Sequence, residues 1–329
     1  MKKWPILSCI AWVLALAVML GACVTAAPTG TEQTQAATTA QPTTEPTTEP
    51  TTVPTTVPLP TYSDPDETQL HARHAFVYDL TYDRLLYTYG DQSEQISPAS
   101  LTKLMTCYVA MQYLDKNTVL TVGEEAGWIA MDSSIAAIGQ GNVMTVEMIL
   151  QGTLMQSGND GAYVLAVAAG RAIAGDPYLD GRTALATFMA EVNSRLRSMG
   201  LMGTQFVTPD GYDAEGHYST AADLLEIARL AITDPTIVHY AAMEKATVTY
   251  ESGEERAWVN TNWLLRETDF PDLYCAEATG LKTGATSKAG HCLIATFDTG
   301  ERQLLIGVLG CELITQRFED ARFLFDHFR

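Results

Sequence analysis

A four-residue unit repeats along the early part of this chain: Thr43-Thr44-Glu45-Pro46, Thr47-Thr48-Glu49-Pro50, Thr51-Thr52-Val53-Pro54 and Thr55-Thr56-Val57-Pro58. Around it, from Val24 to Thr61, there is no aromatic residue, lysine or arginine. Such a segment cannot bury enough apolar surface to offset its chain entropy, so the fold has to be built from the residues that follow. Prolines at every fourth place favour an extended, semi-rigid spacer, at most ~3.1 Å per residue and on the order of 100 Å in all. The unit is too short and too polar for a solenoid. Its threonine density would permit glycosylation.

What precedes the repeat reads as an export signal: Lys2 and Lys3, an apolar run from Ile10 to Leu20, then small residues to Ala22. Leu20-Gly21-Ala22-Cys23 has the form of a bacterial lipobox, in which Cys23 becomes the lipid-modified N-terminus. The alternatives are cleavage near Ala26 or Ala27, releasing the protein, or an uncleaved anchor, for which the apolar run is short. The expected organisation is therefore a signal peptide with lipobox over 1–23, a disordered Thr/Pro-rich linker over 24–61, and a folded region over 62–329. A formal charge of −19 argues against nucleic acid or an anionic lipid surface as partner.

Within the folded region, Ala75 to Asp79 and Leu85 to Tyr89 read as a hairpin, and Gly290 to Phe297 and Gln303 to Leu309 as paired central strands. Helical patterns run near 145–156, 160–174, 183–199 and 219–232, and Phe318, Ala321, Phe325 and Phe328 space as one face of a terminal helix. Strands at both ends with helices between predict one antiparallel sheet built from both termini, plus a helical lobe.

Three short motifs carry chemistry: Ser100-Leu101-Thr102-Lys103, Ser157-Gly158-Asn159 and Lys282-Thr283-Gly284. On a helix Ser100 and Lys103 are neighbours. A serine hydroxyl needs a base, and a lysine kept neutral by burial and a second cation can be that base, so we expect Lys103 uncharged and Lys282, on a strand, protonated. Only Lys103 among the lysines has a serine three residues before it. Leu101, Leu104, Met105, Tyr108 and Val109 form a buried stripe, with Ser100, Lys103 and Cys107 on another face. Read alone, Ser100 could be a helix-start hydroxyl, Lys103 a solvated charge, and Ser157 to Asn159 a helix-end turn.

Pro98 to Thr106, Gln156 to Asp160 and Gly280 to Thr286 resemble the serine-type D-alanyl-D-alanine carboxypeptidases, the low-molecular-mass penicillin-binding proteins. The resemblance extends to Thr204-Gln205-Phe206, to Pro209-Asp210-Gly211-Tyr212-Asp213, to His217 through Asp223 and to Asn260-Thr261-Asn262, and covers about 72 to 329. It implies an α/β (α+β) DD-peptidase/β-lactamase-like fold and a DD-peptidase catalytic domain. The substrate would be a peptidoglycan stem peptide ending in D-Ala-D-Ala, with β-lactams as acylating inhibitors and no cofactor. By the same resemblance Ser100, Lys103 and Ser157 would be catalytic. Asn159, Lys282, Thr283, Gly284, Ala285 and Arg317 would bind substrate, and the N-H groups of Ser100 and Ala285 would form the oxyanion hole. Ala285 stands where the family often has an aromatic residue or histidine, and the expected attachment to a membrane is through the N-terminus alone.

Other readings stay open. A β-lactamase shares these motifs, but no glutamate here has an asparagine three residues on, the pattern that commonly positions its deacylating water. A wall-binding or penicillin-binding protein without turnover would keep the cleft. No His, Cys and Asp grouping has metal-ligand spacing. His217 reads as structural, Cys107 as a small buried residue, and Cys107, Cys275, Cys292 and Cys311 could pair in three ways.

Overall fold

The structure is a computed structural model and describes residues 59–329. The expected signal segment, Cys23 and the Thr/Pro repeat through Pro58 lie outside the described residues.

A hairpin opens the fold, β1 (His74–Asp79) and β2 (Arg84–Tyr89), followed by helix α1 (Thr102–Met111) entered through a 3-10 turn at Ala99–Leu101. Two short strands, β3 (Val119–Thr121) and β4 (Val143–Thr145), pair ahead of α2 (Val146–Met155), α3 (Asn159–Ala174), α4 (Gly181–Ser198) and α5 (Ala221–Ala231). Next come α6 (Pro235–Ala242) and a second hairpin, β5 (Lys245–Thr249) with β6 (Glu255–Val259). The chain closes with β7 (Ala278–Thr286), β8 (Gly290–Asp298), β9 (Gln303–Cys311) and α7 (Gln316–Phe328).

The main sheet has the order β2-β1-β9-β8-β7 and every pairing is antiparallel, so the first and last strands of the chain lie side by side. β8 and β9 are central and covered on both faces, which is why they read as continuous apolar runs rather than as alternating ones. One face packs Phe76, Ile294 and Leu305 against α1, α2, α3 and α5. The other packs Val77, Ala295 and Ile306 against Phe318, Leu324, Phe325 and Phe328 of α7. The Arg302 guanidinium binds the buried Asp79 carboxylate and the Phe328 carbonyl, joining β1, β9 and the end of α7.

Sequence patterning does not reveal α6 or the two small two-stranded sheets, β3-β4 and β5-β6. α6 begins with an Asp234 cap and Pro235 in its first turn but spans only eight residues, two of them buried. Every second residue of β5 is exposed and only Val248 is buried, so it shows no apolar run. Helix α1 differs in another way: residues 102–107, Val109 and Ala110 are all buried, so it is enclosed on nearly every side rather than on one stripe.

Candidate active site

Helix α1 carries its polar face inward because the 207–217 loop lies against it. Thr106 Oγ1 donates to the Pro209 carbonyl (2.6 Å), Thr102 Oγ1 meets His217 Nε2 (3.0 Å), and Ser97 Oγ donates to Asp213 Oδ1 (2.7 Å). His217 Nδ1 accepts from the Val207 and Thr208 N-H groups, which places its proton on Nε2. Burial pulls its pKa down to about 4, so it is a neutral structural bridge.

Two backbone positions next to the motifs are left-handed without being glycine: Ala99 at φ 48° and Ser157 at φ 54°. Such conformations cost of order 1–3 kcal/mol and persist where the surroundings enforce them. At Ala99 the enforcing element is close at hand. A Cβ on Gly211 (φ 82°) would lie 1.8 Å from the Ala99 carbonyl oxygen, so only glycine lets the 207–217 loop press against the turn that presents Ser100. Gly284 is small for a related reason: a Cβ there would meet Ala99 Cβ and the Pro98 oxygen at 3.2 Å and Leu101 Cγ at 3.3 Å. The strand edge thus approaches the nucleophile's turn, where the sequence reading placed a ligand.

Lys103 is fully buried, and its Nζ lies 2.7 Å from Ser100 Oγ, 2.7 Å from Asn159 Oδ1 and 2.8 Å from the Asp210 carbonyl oxygen. The last two can only accept. A neutral amine has two hydrogens, and both are then committed, which leaves its lone pair for the Ser100 hydroxyl. Burial lowers the Lys103 pKa to about 8, opposed chiefly by the Asp210 carboxylate.

Asn159 Nδ2 donates to Ser133 Oγ (2.9 Å), and its backbone N-H to the Ser134 carbonyl. With Asp160, which accepts from the N-H groups of Ala136 and Ile138, it fixes the 132–138 segment as one wall of the cleft. Tyr212 closes over from the opposite wall and donates to Asp132 Oδ1 (2.8 Å). The cleft reaches from Ser100 and Asn159 to Ala285 and Thr286 at the end of β7.

Lys282 and Thr283 sit on β7, 1 % and 4 % exposed, behind the open part of the cleft. Among the described residues Lys282 Nζ has one partner, the Thr283 carbonyl (3.0 Å), and Thr283 Oγ1 meets Thr261 Oγ1 at 2.6 Å. The expectation that Lys282 keeps its proton meets a contrary indication here: burial first, then the positive charges of Lys103 and Arg317, push its pKa well below the ordinary 10.5. Arg317, 4 % exposed, donates to the Gly284 (3.1 Å) and Cys292 (3.2 Å) carbonyls and does not reach the cleft. It braces β7. Ser157 is buried in the turn before α3, and its hydroxyl makes no hydrogen bond among the described residues. Cys107, Cys275, Cys292 and Cys311 are all free thiols.

Asp132 and Ser133 belong to no motif in the sequence, and Asp210, Tyr212 and Asp213 carry no role there beyond a matching segment, yet all five line the cleft. Among the described residues no group of three or more His, Cys, Asp or Glu could hold a metal ion.

A serine and a buried lysine one helical turn apart, beside a sheet made from both ends of the chain, are an arrangement this protein shares with solved DD-peptidases of the penicillin-binding fold. The crystal structure of the Streptomyces K15 DD-transpeptidase superposes with a TM-score of 0.69 at 26% identity, covering 78% of this chain and 97% of that one. Penicillin-binding protein D2 from Listeria monocytogenes, in an ampicillin-bound form, gives 0.62 at 28% identity over 79% of this chain and 98% of its own. Residues 61–312 match the peptidase S11 family, D-alanyl-D-alanine carboxypeptidase, and the chain belongs to that family. It is 31% identical over 268 residues to the D-alanyl-D-alanine carboxypeptidase DacD of Escherichia coli (strain K12), covering 78% of this chain and 63% of that protein.

Proposed function

We propose that this protein is a serine-type D-Ala-D-Ala carboxypeptidase that removes the terminal D-alanine from peptidoglycan stem peptides through an acyl-Ser100 intermediate. The observation that carries the reading is the Lys103 amine, buried and shared between Ser100, Asn159 and the Asp210 carbonyl. In this reading Lys103 takes the Ser100 proton as Oγ bonds to the carbonyl carbon of the last peptide bond. The oxyanion meets the N-H groups of Ser100 and Ala285. As the bond to D-alanine breaks, the Lys103 proton passes to the departing nitrogen, with Ser157 beside the path. Water, deprotonated by the same amine, then releases the shortened peptide.

Lys282 and Thr283 hold the substrate's terminal carboxylate, a charge-assisted contact that selects for a free C-terminus, and Asn159 Nδ2 turns from Ser133 to the substrate amide. Gly284 keeps the strand close enough for this, and Arg317 acts by bracing it. β-Lactams acylate the same serine. The activity is exercised outside the cytoplasm, with Cys23 as lipid anchor, 24–61 as tether and 62–329 as catalytic domain. The 97% coverage of the K15 DD-transpeptidase supports a second fate for the same acyl-enzyme, transfer to an amine in place of water.

The test is D-alanine release from a D-Ala-D-Ala pentapeptide, run beside intact-mass analysis after penicillin treatment. Release and a single adduct, both lost in Ser100→Ala, are expected. An adduct that persists in Ser100→Ala overturns the assignment, and fast nitrocefin turnover without D-alanine release makes the protein a β-lactamase.

A further inference from the structure

The charges of two carboxylates, Asp210 and Asp160, act on the Lys103 amine, and the two are not equivalent. Asp160 accepts four backbone N-H contacts: Ala136 to both oxygens at 3.0 Å, Ile138 at 2.9 Å and Gly161 at 2.9 Å. Its charge is met by fixed dipoles, although burial still holds its pKa above the ordinary carboxylate value. Asp210 is 1 % exposed, and among the described residues its Oδ1 accepts only the Tyr212 N-H at 3.1 Å while its buried Oδ2 has no hydrogen-bond partner. A buried carboxylate left so nearly unsatisfied is costly unless a cation forms beside it. The group beside it that can become one is the amine already bonded to Asp210's own carbonyl at 2.8 Å.

We infer that the Asp210 carboxylate is the counter-charge for the ammonium that forms on Lys103 when it takes the Ser100 proton, which makes Asp210 a positioning residue behind the Ser-Lys pair. The inference rests on the reading of Lys103 as the base. In the step, the Ser100 O-H bond breaks, an N-H bond forms on Lys103 and Oγ bonds to the substrate carbon. The Lys103 ammonium then stays under the field of the Asp210 charge until the amine gives its proton to the leaving nitrogen. Asp210 is held for this by the loop pressed onto Ala99 through Gly211.

No other group around the pair supplies the charge. Cys107, from α1, is pushed up to about 12 by burial and stays a thiol. Asp160, from α3, already accepts four backbone N-H contacts, and Lys282, from β7, offers no negative charge. Facing Asp210, Tyr163 is pushed up to about 12 and His217 down to about 4, both by burial, so both are neutral. Tyr212, whose N-H binds Asp210, has its phenol raised by the hydrogen bond to Asp132.

The experiment follows the rate of Ser100 acylation by a fluorescent penicillin from about pH 5 to about pH 10 in the wild type and in Asp210→Asn, Asp210→Ser and Asp210→Glu. Removal of the counter-charge makes Lys103 easier to deprotonate and a weaker base. The Asn and Ser variants should therefore carry their acid limb lower by about one pH unit or more. Their plateau rate should fall about tenfold. Asp210→Glu should keep the wild-type limb. If the Asn variant does not fold, the smaller Ser variant gives the same reading. Acid limbs that coincide with wild type in the neutral variants, or a rate lowered equally at every pH, overturn the inference. A wild-type protein with no Ser100 adduct overturns the reading beneath it instead.

Discussion

The protein buries two lysines within one site, and their surroundings differ. Lys103 on α1 is ringed by a hydroxyl, a carboxamide oxygen and a main-chain carbonyl, all within 2.8 Å. Lys282 on β7 has a single carbonyl at 3.0 Å, its own neighbour's, and faces two further basic groups. Both are driven toward neutrality by burial. The first environment is complete and suits an amine that cycles a proton. The second is unfinished, and an incoming carboxylate would supply the missing partner and draw a proton onto it.

The hardest way to break this contrast is to remove each amine in turn. Lys103→Met should lower the penicillin acylation rate by about 10³-fold, within the usual range for a lost general base, read by stopped flow. A loss below tenfold would mean the base lies elsewhere. Lys282→Met should cost about 10- to 100-fold in kcat/KM for a D-Ala-D-Ala peptide, the worth of one charge-assisted hydrogen bond. Because burial and neighbouring positive charge drive Lys282 toward its neutral form, the acid limb of penicillin acylation should stay where it is in that variant. A limb displaced upward would show that Lys282 carries charge in the free site.

Arg317 sharpens the comparison from behind the strand. Arg317→Met removes donors from two buried carbonyls, of Gly284 and Cys292, and should destabilise the fold by about 2 kcal/mol, measured by urea unfolding. KM for the peptide should rise with acylation by penicillin less affected, since Lys103 is held from the other face of the sheet. Equal losses in both reactions would argue against a bracing role confined to β7.

How much of this could be read beforehand depends on how local each signal is. The Ser100 and Lys103 spacing declares a contact within one helical turn, and the apolar runs of β8 and β9 declare strands covered on both faces. The bond from Lys103 to the Asp210 carbonyl joins residues 107 apart, and that from Asn159 to Ser133 spans 26. No periodicity encodes either, and a carbonyl acceptor leaves no mark in residue type. The buried polar face of α1 was unreadable for the same reason, since its cover is an irregular loop stitched on by Thr102, Thr106 and Ser97. Arg317 could be matched to a family position, but that its guanidinium ends on main-chain oxygens is a fact of packing.

The smallest effect concerns stability. A lysine whose folded pKa lies below its unfolded value is more protonated when unfolded, so stability must rise with pH across the interval between the two. For Lys103 that interval runs from about 8 to the ordinary 10.5. Its contribution is lost below the lower value and complete above the upper one, with a slope of at most about 1.4 kcal/mol per pH unit. Buried tyrosines oppose it at the alkaline end: Tyr78 and Tyr163 are pushed up to about 12, so the folded state holds protons there that the unfolded chain releases. The difference between wild type and Lys103→Met removes those shared terms. Urea midpoints taken from about pH 8 to about pH 10 should climb for the wild type relative to the variant. Parallel curves would place the Lys103 pKa near its unfolded value, and with it a charged amine that could not accept the Ser100 proton.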